Sequence, residues 1–197
     1  MPSLSLLENQ GFSNTNYILK TTKKNYIIKV FGAHCIDRNM EFNIAFEAYK
    51  KGIGSKPIYY DESFMICEFI EGVHKTKLKK LDIKNIALLL KRLHGIKINK
   101  RVFNRKKDHV LCHHDLNPKN FIFSDSIKLI DWEYARYNDP YFDLATVVVE
   151  FKLNKTKEKW LLEYYFKNPY IINKKKLYFF KKSYIKLRKQ WFKNIEI

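Results

Sequence analysis

The chain has 197 residues, 46% of them hydrophobic, which supports one sizeable core or two small lobes that share a cleft. No apolar run reaches the length of about 18 residues that a membrane-spanning helix needs, so we expect no membrane insertion. Three dispersed cysteines, Cys35, Cys67 and Cys112, lack the CxxC spacing of a zinc site. Reduced thiols in a cytoplasmic protein fit them better than disulfides.

The formal net charge of +18 has two explanations. One is a protein that binds nucleic acid or an anionic membrane. The other is a lysine-rich composition, because the lysines are scattered along the chain and form only short runs such as 174–176. We favour the second explanation and expect no specific nucleic-acid partner. A basic cleft would also suit a polyanionic substrate.

The first third of the chain is predicted to be mostly β-structure. Two short apolar runs rich in β-formers, 16–20 and 26–30, flank a polar segment and predict a hairpin. Residues 37–51 carry apolar side chains at helical spacing and are followed by a glycine, which predicts a helix. Two further strands are expected at 57–60 and 64–69.

From residue 82 the pattern becomes helical. Apolar residues from 83 to 93 form one helical face, and Gly95 ends it. Residues 111–131 are predicted to be loop and short strand, and three more helices are expected at 141–153, 157–166 and 174–194.

This order of elements predicts an α+β fold of two lobes. A small strand-rich lobe would span residues 1–71, and a mostly helical lobe would span 72–197. Two lobes joined by a short hinge form a cleft in which a ligand can bind.

The most specific pattern lies in the loop before the second set of helices. Asp115 and Asn120 share a loop stiffened by Pro118, and Asp131 follows the apolar run 127–130. Phosphoryl transfer needs a carboxylate that orients an acceptor hydroxyl, and hard oxygen ligands for the metal on the triphosphate. Each residue alone is a common turn-former. Together, in H-x-D-x-x-x-x-N spacing before a strand that ends in Asp, they predict a phosphotransferase.

The residues around this loop resemble those of a known family. Together, the runs 113–120, 130–134 and 138–145 are similar to the choline/ethanolamine kinase family, and most of all to its bacterial choline kinases. That family belongs to the wider aminoglycoside-phosphotransferase group of protein-kinase-like folds. His114 is a departure, because the family often has Asn or Gly at this position.

The resemblance implies a role for each matching position. Asp115 would be the catalytic base or hydroxyl-orienting group, and Asn120 and Asp131 would bind Mg²⁺ on ATP. His113 would hold the loop, and Asp143 would brace it from the following helix.

The N-terminal part supplies the expected nucleotide contacts. Lys29 lies in an apolar strand, where an unpaired ammonium would be costly, so its expected partners are the ATP phosphates and a helix carboxylate. Glu41 matches the family's helix glutamate, and Glu47 is the second choice. By the same resemblance, Ser13 and Asn14 belong to a hairpin that covers the phosphates.

The strand that ends at Gly72 resembles the family's hinge. The resemblance implies that backbone groups from Glu68 to Ile70 hydrogen-bond adenine.

The acceptor contacts are expected from aromatic and acidic residues, since aromatic faces and a nearby carboxylate attract a quaternary ammonium. Tyr134 and Glu150 match positions that contact choline in the family's eukaryotic members. Trp191 is the expected cage wall, although the family usually carries paired tryptophans and here Phe192 follows. Further aromatic candidates on the C-terminal helices are Trp160, Tyr164 and Tyr184.

Three alternatives to choline phosphorylation stay open at this point. The first is another small acceptor such as ethanolamine, thiamine or an amino sugar. The second, a protein kinase, is disfavoured because Asp131 is followed by Trp-Glu rather than Phe-Gly. The third is a basic binding protein with an inactive kinase-like fold, which would be expected to have lost a residue such as Lys29 or Asp115.

Overall fold

An antiparallel sheet with one helix forms the N-terminal part of the molecule. The computed structural model describes residues 1–8, 14–32, 36–98 and 107–195, with side chains up to residue 193. The sheet has the order β1-β2-β3-β5-β4. Its elements, with the helix that follows the third strand, are β1 (Ser3–Leu6), β2 (Asn14–Lys20), β3 (Asn25–Phe31), α1 (Arg38–Lys50), β4 (Pro57–Tyr60) and β5 (Phe64–Glu68).

The C-terminal part is mostly helical. Four helices surround two small two-stranded sheets, in which β6 pairs with β9 and β7 pairs with β8. The elements are α2 (Lys80–His94), β6 (Val110–Cys112), β7 (Phe121–Phe123), β8 (Ile127–Leu129), β9 (Arg136–Asn138), α3 (Pro140–Glu150), α4 (Lys155–Phe166) and α5 (Lys174–Ile195). Single 3₁₀ turns lie at Pro118–Asn120 and Pro169–Ile171.

The predicted α+β class is confirmed, because the antiparallel sheet and the helices are segregated along the chain. The predicted helices and longer strands all occur, with ends displaced by at most three residues. Four strands were not individually predicted, namely β1, β6, β7 and β9. They have three or four residues each, which is too short for a period-two pattern to stand out.

Helices α2 and α3 contribute many of the buried residues of the core. In α2, the predicted apolar face is fully buried at positions such as Ile83, Leu90 and Leu93. In α3, eight of eleven residues are buried, so this helix is enclosed on nearly every side. Asp139 caps α3 by accepting a hydrogen bond from the amide of Tyr141. Among the described helices, none is long and apolar enough to cross a bilayer.

Two backbone contacts join the sheet region to the helical region. Val73 pairs with Phe123, directly after Gly72, where a β-carbon would lie 2.7 Å from the carbonyl oxygen of Phe123. This close approach requires glycine. Behind the sheet, Leu129 donates its amide to the carbonyl of Ile53 at 2.7 Å. Strand β8 is therefore anchored against the turn between α1 and β4.

Candidate active site

The loop between β6 and β7 holds the Asp115 carboxylate from two sides. Oδ1 of Asp115 accepts a hydrogen bond from Nδ2 of Asn117 at 3.0 Å, and Oδ2 accepts one from Nδ2 of Asn120 at 2.8 Å. Asn120 also donates to the main-chain carbonyl of Asp115, which closes the loop on itself. Pro118 starts the 3₁₀ turn that places Asn120 there. Burial raises the pKa of Asp115, although the two amide hydrogen bonds oppose this.

His113 ties this loop to the segment that carries Asp131. Its Nε2 lies 3.0 Å from the carbonyl oxygen of Ile130, to which it can only donate. Its Nδ1 then accepts the amide of Asp115 at 3.3 Å. The ring also packs against Trp132, with centroids 4.7 Å apart. His113, which was predicted to hold the loop, therefore contacts both the Asp115 loop and the segment that carries Asp131.

Asp143 is completely buried under the loop. Its carboxylate accepts the main-chain amides of His113 at 2.8 Å and His114 at 3.1 Å. His94 Nε2 is also 3.1 Å from Oδ2. Burial alone would raise the pKa of Asp143, but the hydrogen bond and charge of His94 and the further hydrogen bonds lower it below its ordinary value. Asp143 therefore remains an acceptor for the loop amides.

The partner of Asp143 was missed by sequence reasoning. His94 is the last residue of α2. Its Nδ1 forms a hydrogen bond with the hydroxyl of Tyr165, 2.7 Å away. Cys112 lies beside this chain of contacts, and burial raises its pKa well above the ordinary value. A histidine that follows the last apolar position of a helical face was the available signal, but its partners are 49 and 71 residues away.

The backbone conformation at His114 is one that favours Asn or Gly, the residues that the family often has at this position. Its φ is 69°, in the left-handed region that Asn and Gly adopt more easily than other residues. The ring stacks on Phe142 at 4.2 Å and accepts a hydrogen bond from Arg136. Burial, helped by the charge of Arg136 and opposed by the pull of Asp143, lowers the pKa of His114 to about 4.

We expect His114→Asn to reduce the acid sensitivity of folding. Because the folded-state pKa of His114 lies below its unfolded value, its contribution is present above about pH 6.5 and is lost as the pH falls towards about 4. Between about pH 7.5 and 5 the wild type should lose roughly 2 kcal/mol more than the variant. Urea unfolding at the two pH values measures this difference, and equal losses in both proteins would contradict it.

The second half of the site is a cluster of charges under the sheet. Lys29 on β3 lies 2.7 Å from Oε1 of Glu41 and 2.7 Å from Oδ1 of Asp131. A third carboxylate, Glu133, is 3.4 Å away. Glu41 and Glu133 are each only 3% exposed, whereas Asp131 is 33% exposed. Lys29 therefore meets the predicted helix carboxylate, while Glu47, the second choice, pairs with Lys50.

Burial would lower the pKa of Lys29, but the attraction of Asp131, Glu41 and Glu133 outweighs it. The net result is a pKa well above the ordinary value. Lys29 is therefore charged at every pH at which the protein would be studied.

Arg38 and Glu133 complete this cluster, and sequence reasoning missed both. The guanidinium of Arg38 lies 2.6 Å from Glu41 and 3.2 Å from Glu133, and it stacks over the ring of Phe31. Asn14 joins them, because its amide donates to Glu133 at 2.9 Å and its oxygen accepts from Arg38. Arg38 was detectable as the basic residue three positions before Glu41. The Asp-Trp-Glu run contained Glu133, but nothing in its spacing pointed to Lys29.

The segment from Asp131 to Glu133 has an unusual backbone. Asp131 has a φ of 67°, a backbone conformation that costs energy for a residue with a β-carbon. The packing of the surrounding residues must stabilise this conformation. Next to it, Trp132 is buried against His113 and against Gly54, whose added β-carbon would lie 3.5 Å from the indole. The two flanking carboxylates are thereby turned towards Lys29.

The donor set fits a divalent cation that prefers oxygen ligands. Asn120 makes both of these side-chain hydrogen bonds through its amide nitrogen, which leaves its side-chain oxygen as the atom available to a cation. Asp131 offers its second carboxylate oxygen and is the most exposed acid of the cluster. The five charged side chains of the cluster have a formal sum of −1, since three carboxylates oppose Lys29 and Arg38.

The predicted hinge begins at Glu68, the last residue of β5. The amide of Glu68 donates to the carbonyl of Lys56, and its own carbonyl accepts from the hydroxyl of Ser55. The carboxylate of Glu68 pairs with the exposed Lys24. Ile70 comes two residues later, just before the contact between Val73 and Phe123. Ser13 lies outside the described residues.

The predicted acceptor residues fall into two groups. Glu150 at the end of α3 accepts the hydroxyl of Tyr184 at 2.8 Å and pairs with Nε of Arg188 at 3.3 Å. Burial raises the pKa of Tyr184, and the charges of Glu150 and Asp115 raise it further. The hydrogen bond to Glu150 places Tyr184 on the side of α5 that meets the end of α3. Arg188 was not among the predicted residues.

The remaining aromatic candidates differ in position. Trp191 is half-buried, one turn beyond Arg188 on α5, and its ring meets Phe192 edge-on. Tyr134 is half-buried in the turn after Glu133. Trp160 and Tyr164, by contrast, lie on α4 and pack against the hydrophobic core.

Comparison with known proteins places this site in context. The family model described as choline/ethanolamine kinase matches residues 98–196, which is half of the chain. Protein LicA of Haemophilus influenzae is 45% identical over 69 residues, an alignment that covers 34% of this chain and 24% of that protein. The chain thus spans about a quarter of the length of this curated relative.

Solved structures match over most of the chain. The crystal structure of choline kinase LicA from Streptococcus pneumoniae superposes with a TM-score of 0.74 at 25% identity and covers 90% of this chain and 80% of that one. A crystal structure of LicA in complex with AMP superposes with a TM-score of 0.70, also at 25% identity, and covers 90% and 79%. On the family match and the shared fold, this chain belongs to the choline/ethanolamine kinase family.

Proposed function

We propose that this chain is an ATP-dependent phosphotransferase that phosphorylates the hydroxyl of a small amino alcohol, with choline as the expected acceptor. The observation that carries the proposal is the presence of both an ordered Asp115 loop and a charged cluster around Lys29. Asp115 is fixed by Asn117 and Asn120 on one side, and Lys29 meets Glu41 and Asp131 on the other. Family membership and the AMP-bound relative support the use of ATP.

The proposed division of labour follows from these contacts. Asp115 would accept a hydrogen bond from the acceptor hydroxyl and take its proton as the hydroxyl oxygen bonds to the γ-phosphorus of ATP. The bond between that phosphorus and the bridging oxygen breaks, and ADP leaves. Burial, which raises the pKa of Asp115, makes it a better base. Asn120 and Asp131 would hold Mg²⁺, which when bound neutralises charge on the phosphates. Lys29 would turn from Asp131 to the α- and β-phosphates while Glu41 keeps it in place.

The nucleotide would lie between a lobe of residues 1–71 and a lobe of residues 72–197. Asn14, at the start of β2, is held near the cluster by Glu133 and Arg38, which supports its proposed place over the phosphates. Both backbone groups of Glu68 bond within the protein, so we assign the adenine contact chiefly to Ile70.

The acceptor's cationic group would lie between Glu150 and aromatic faces. Tyr184 and Trp191 share one face of α5, because residues seven apart lie on nearly the same line of a helix. Tyr134 would contribute from the turn after Glu133. Arg188 occupies one oxygen of Glu150, so a cationic acceptor would compete with this guanidinium for the carboxylate.

An acceptor panel tests the proposal. Purified protein with Mg-ATP would be assayed for ADP release with choline, ethanolamine, thiamine and an amino sugar. Choline should stimulate ADP release most strongly. Stimulation by another member alone would reassign the acceptor, and no stimulation by any member would contradict an amino-alcohol kinase.

We expect Arg188→Gln to lower the KM for choline by roughly threefold to tenfold, because removing a competing cation frees Glu150. The KM for ATP should stay within about twofold, since Arg188 pairs with Glu150 rather than with the Lys29 cluster. Steady-state kinetics with each substrate varied in turn measures both values. The control is Arg92→Gln on the exposed side of α2, which should change neither. A higher KM for choline in the Arg188 variant would show that the guanidinium helps to bind the acceptor.

A further inference from the structure

Helix α5 concentrates positive charge. Nine Lys or Arg residues and no Asp or Glu lie between Lys174 and Ile195, so these 22 residues carry half of the formal net charge of +18. An even spread over 197 residues would give this helix only about +2. The expectation of evenly scattered lysines therefore does not describe α5.

Two parallel rows run along the outer face of α5. Residues seven apart fall on nearly one line of a helix. One line is basic and consists of Lys175, Lys182 and Lys189. The adjacent line is apolar and consists of Tyr178, Ile185 and Phe192, which are 59%, 41% and 39% exposed.

The two rows touch each other. The ammonium of Lys182 lies 4.6 Å from the centroid of the Tyr178 ring. Lys186 widens the basic row, and Lys182, Lys186 and Lys189 line one open depression with Ile185. The surface is thus a strip of exposed cations beside a strip of exposed apolar side chains.

The opposite face of α5 is committed to the protein. Leu177 and Tyr184 are buried there, and Lys181 and Arg188 on its flank pair with Glu158 and with Glu150. By contrast, within the part of the chain that the structure describes, no carboxylate pairs with Lys182, Lys186 or Lys189. The outer face therefore carries charge that the rest of the protein does not neutralise.

We propose that the outer face of α5 binds an anionic lipid surface. A helix with lysines on one side and exposed aromatic and aliphatic residues beside them lies in the plane of a bilayer interface, with its apolar row among the acyl chains and its cations at the headgroups. About 22 residues give a flat contact roughly 33 Å long.

Nucleic acid fits this surface less well. The phosphates of a nucleic acid would face the exposed row of Tyr178, Ile185 and Phe192. Burial of these apolar side chains would then contribute nothing to the free energy of binding. The single arginine of the helix, Arg188, already pairs with Glu150. Lysine ammonium groups act as point charges that suit a fluid array of headgroups.

Co-sedimentation of the full chain with vesicles tests the proposal. We expect binding to vesicles of phosphatidylcholine with about 30 mol% phosphatidylglycerol, little binding to phosphatidylcholine alone, and weaker binding above about 0.1 M salt. The triple variant Lys182→Gln, Lys186→Gln, Lys189→Gln should lower the partition coefficient by roughly one hundredfold.

Two controls separate this surface from net charge. The matched variant Lys51→Gln, Lys84→Gln, Lys155→Gln removes the same charge from exposed positions outside α5 and should lose less than about threefold. Ile185→Ser should weaken vesicle binding at unchanged charge.

Equal losses in the two triple variants would overturn the proposal in favour of diffuse charge. So would retention of binding in the α5 variant, or binding of duplex RNA in preference to anionic vesicles. All variants should keep the kinase activity of the wild type, since none of these side chains belongs to the proposed active site.

Discussion

Asp115→Asn should lower kcat by about three orders of magnitude or more. The substitution keeps the size of the side chain but removes the group that takes the acceptor proton, and a positioned base contributes roughly 10²- to 10⁴-fold. One of its two amide donors, Asn117 or Asn120, also loses an acceptor. Single-turnover and steady-state ADP release would measure the loss, and ADP affinity by calorimetry should change by less than about fivefold.

The control for this prediction is Asp125→Asn. Asp125 is an exposed carboxylate in the turn between β7 and β8, so its replacement should leave kcat unchanged. An Asp115→Asn protein with substantial turnover would show that another group accepts the proton. Loss of nucleotide binding in that variant would instead indicate a collapsed loop.

Lys29→Gln should have the second largest effect and act on both binding and stability. Removing the ammonium leaves Glu41, Asp131 and Glu133 with Arg38 as their one remaining cation within the cluster described. We expect kcat/KM for ATP to fall by about 10²-fold or more, since the phosphates lose a charged partner. Breaking a buried ion pair in this way also costs about 3 kcal/mol of unfolding free energy.

ATP-dependent kinetics and urea unfolding would measure these two losses separately. Lys20→Gln, at the exposed end of β2, is the matched control and should alter neither. Addition of ADP should restabilise the wild type more than the Lys29 variant, because ligand that binds only the folded state stabilises it. An unchanged KM for ATP in the variant would contradict a phosphate-binding role for Lys29.

The loop that holds Asp115 and Asn120 was recognisable because its information is local. Asp115 and Asn120 are five residues apart, and the structure joins them through two direct hydrogen bonds. Lys29 and Glu41 are twelve residues apart on a strand and the next helix. The cost of an unpaired ammonium predicted a carboxylate partner on that helix, and the family resemblance selected Glu41 over Glu47.

Other parts of the site depend on contacts between distant segments. Glu133 meets Asn14 across 119 positions, and His94 meets Asp143 across 49. Neither pair has a spacing that a single sequence could reveal. Arg188 was missed for a different reason, because one basic residue in a lysine-rich helix does not stand out until its neighbour Glu150 is known.

Product detection by ³¹P NMR tests the central claim most directly. The purified chain would be incubated with Mg-ATP and choline, with the Asp115→Asn protein as a parallel sample. We predict a new phosphomonoester signal that grows in step with ADP in the wild type and is nearly absent from the variant. ATP that stays intact with choline, or that yields only inorganic phosphate, would contradict phosphoryl transfer to this acceptor.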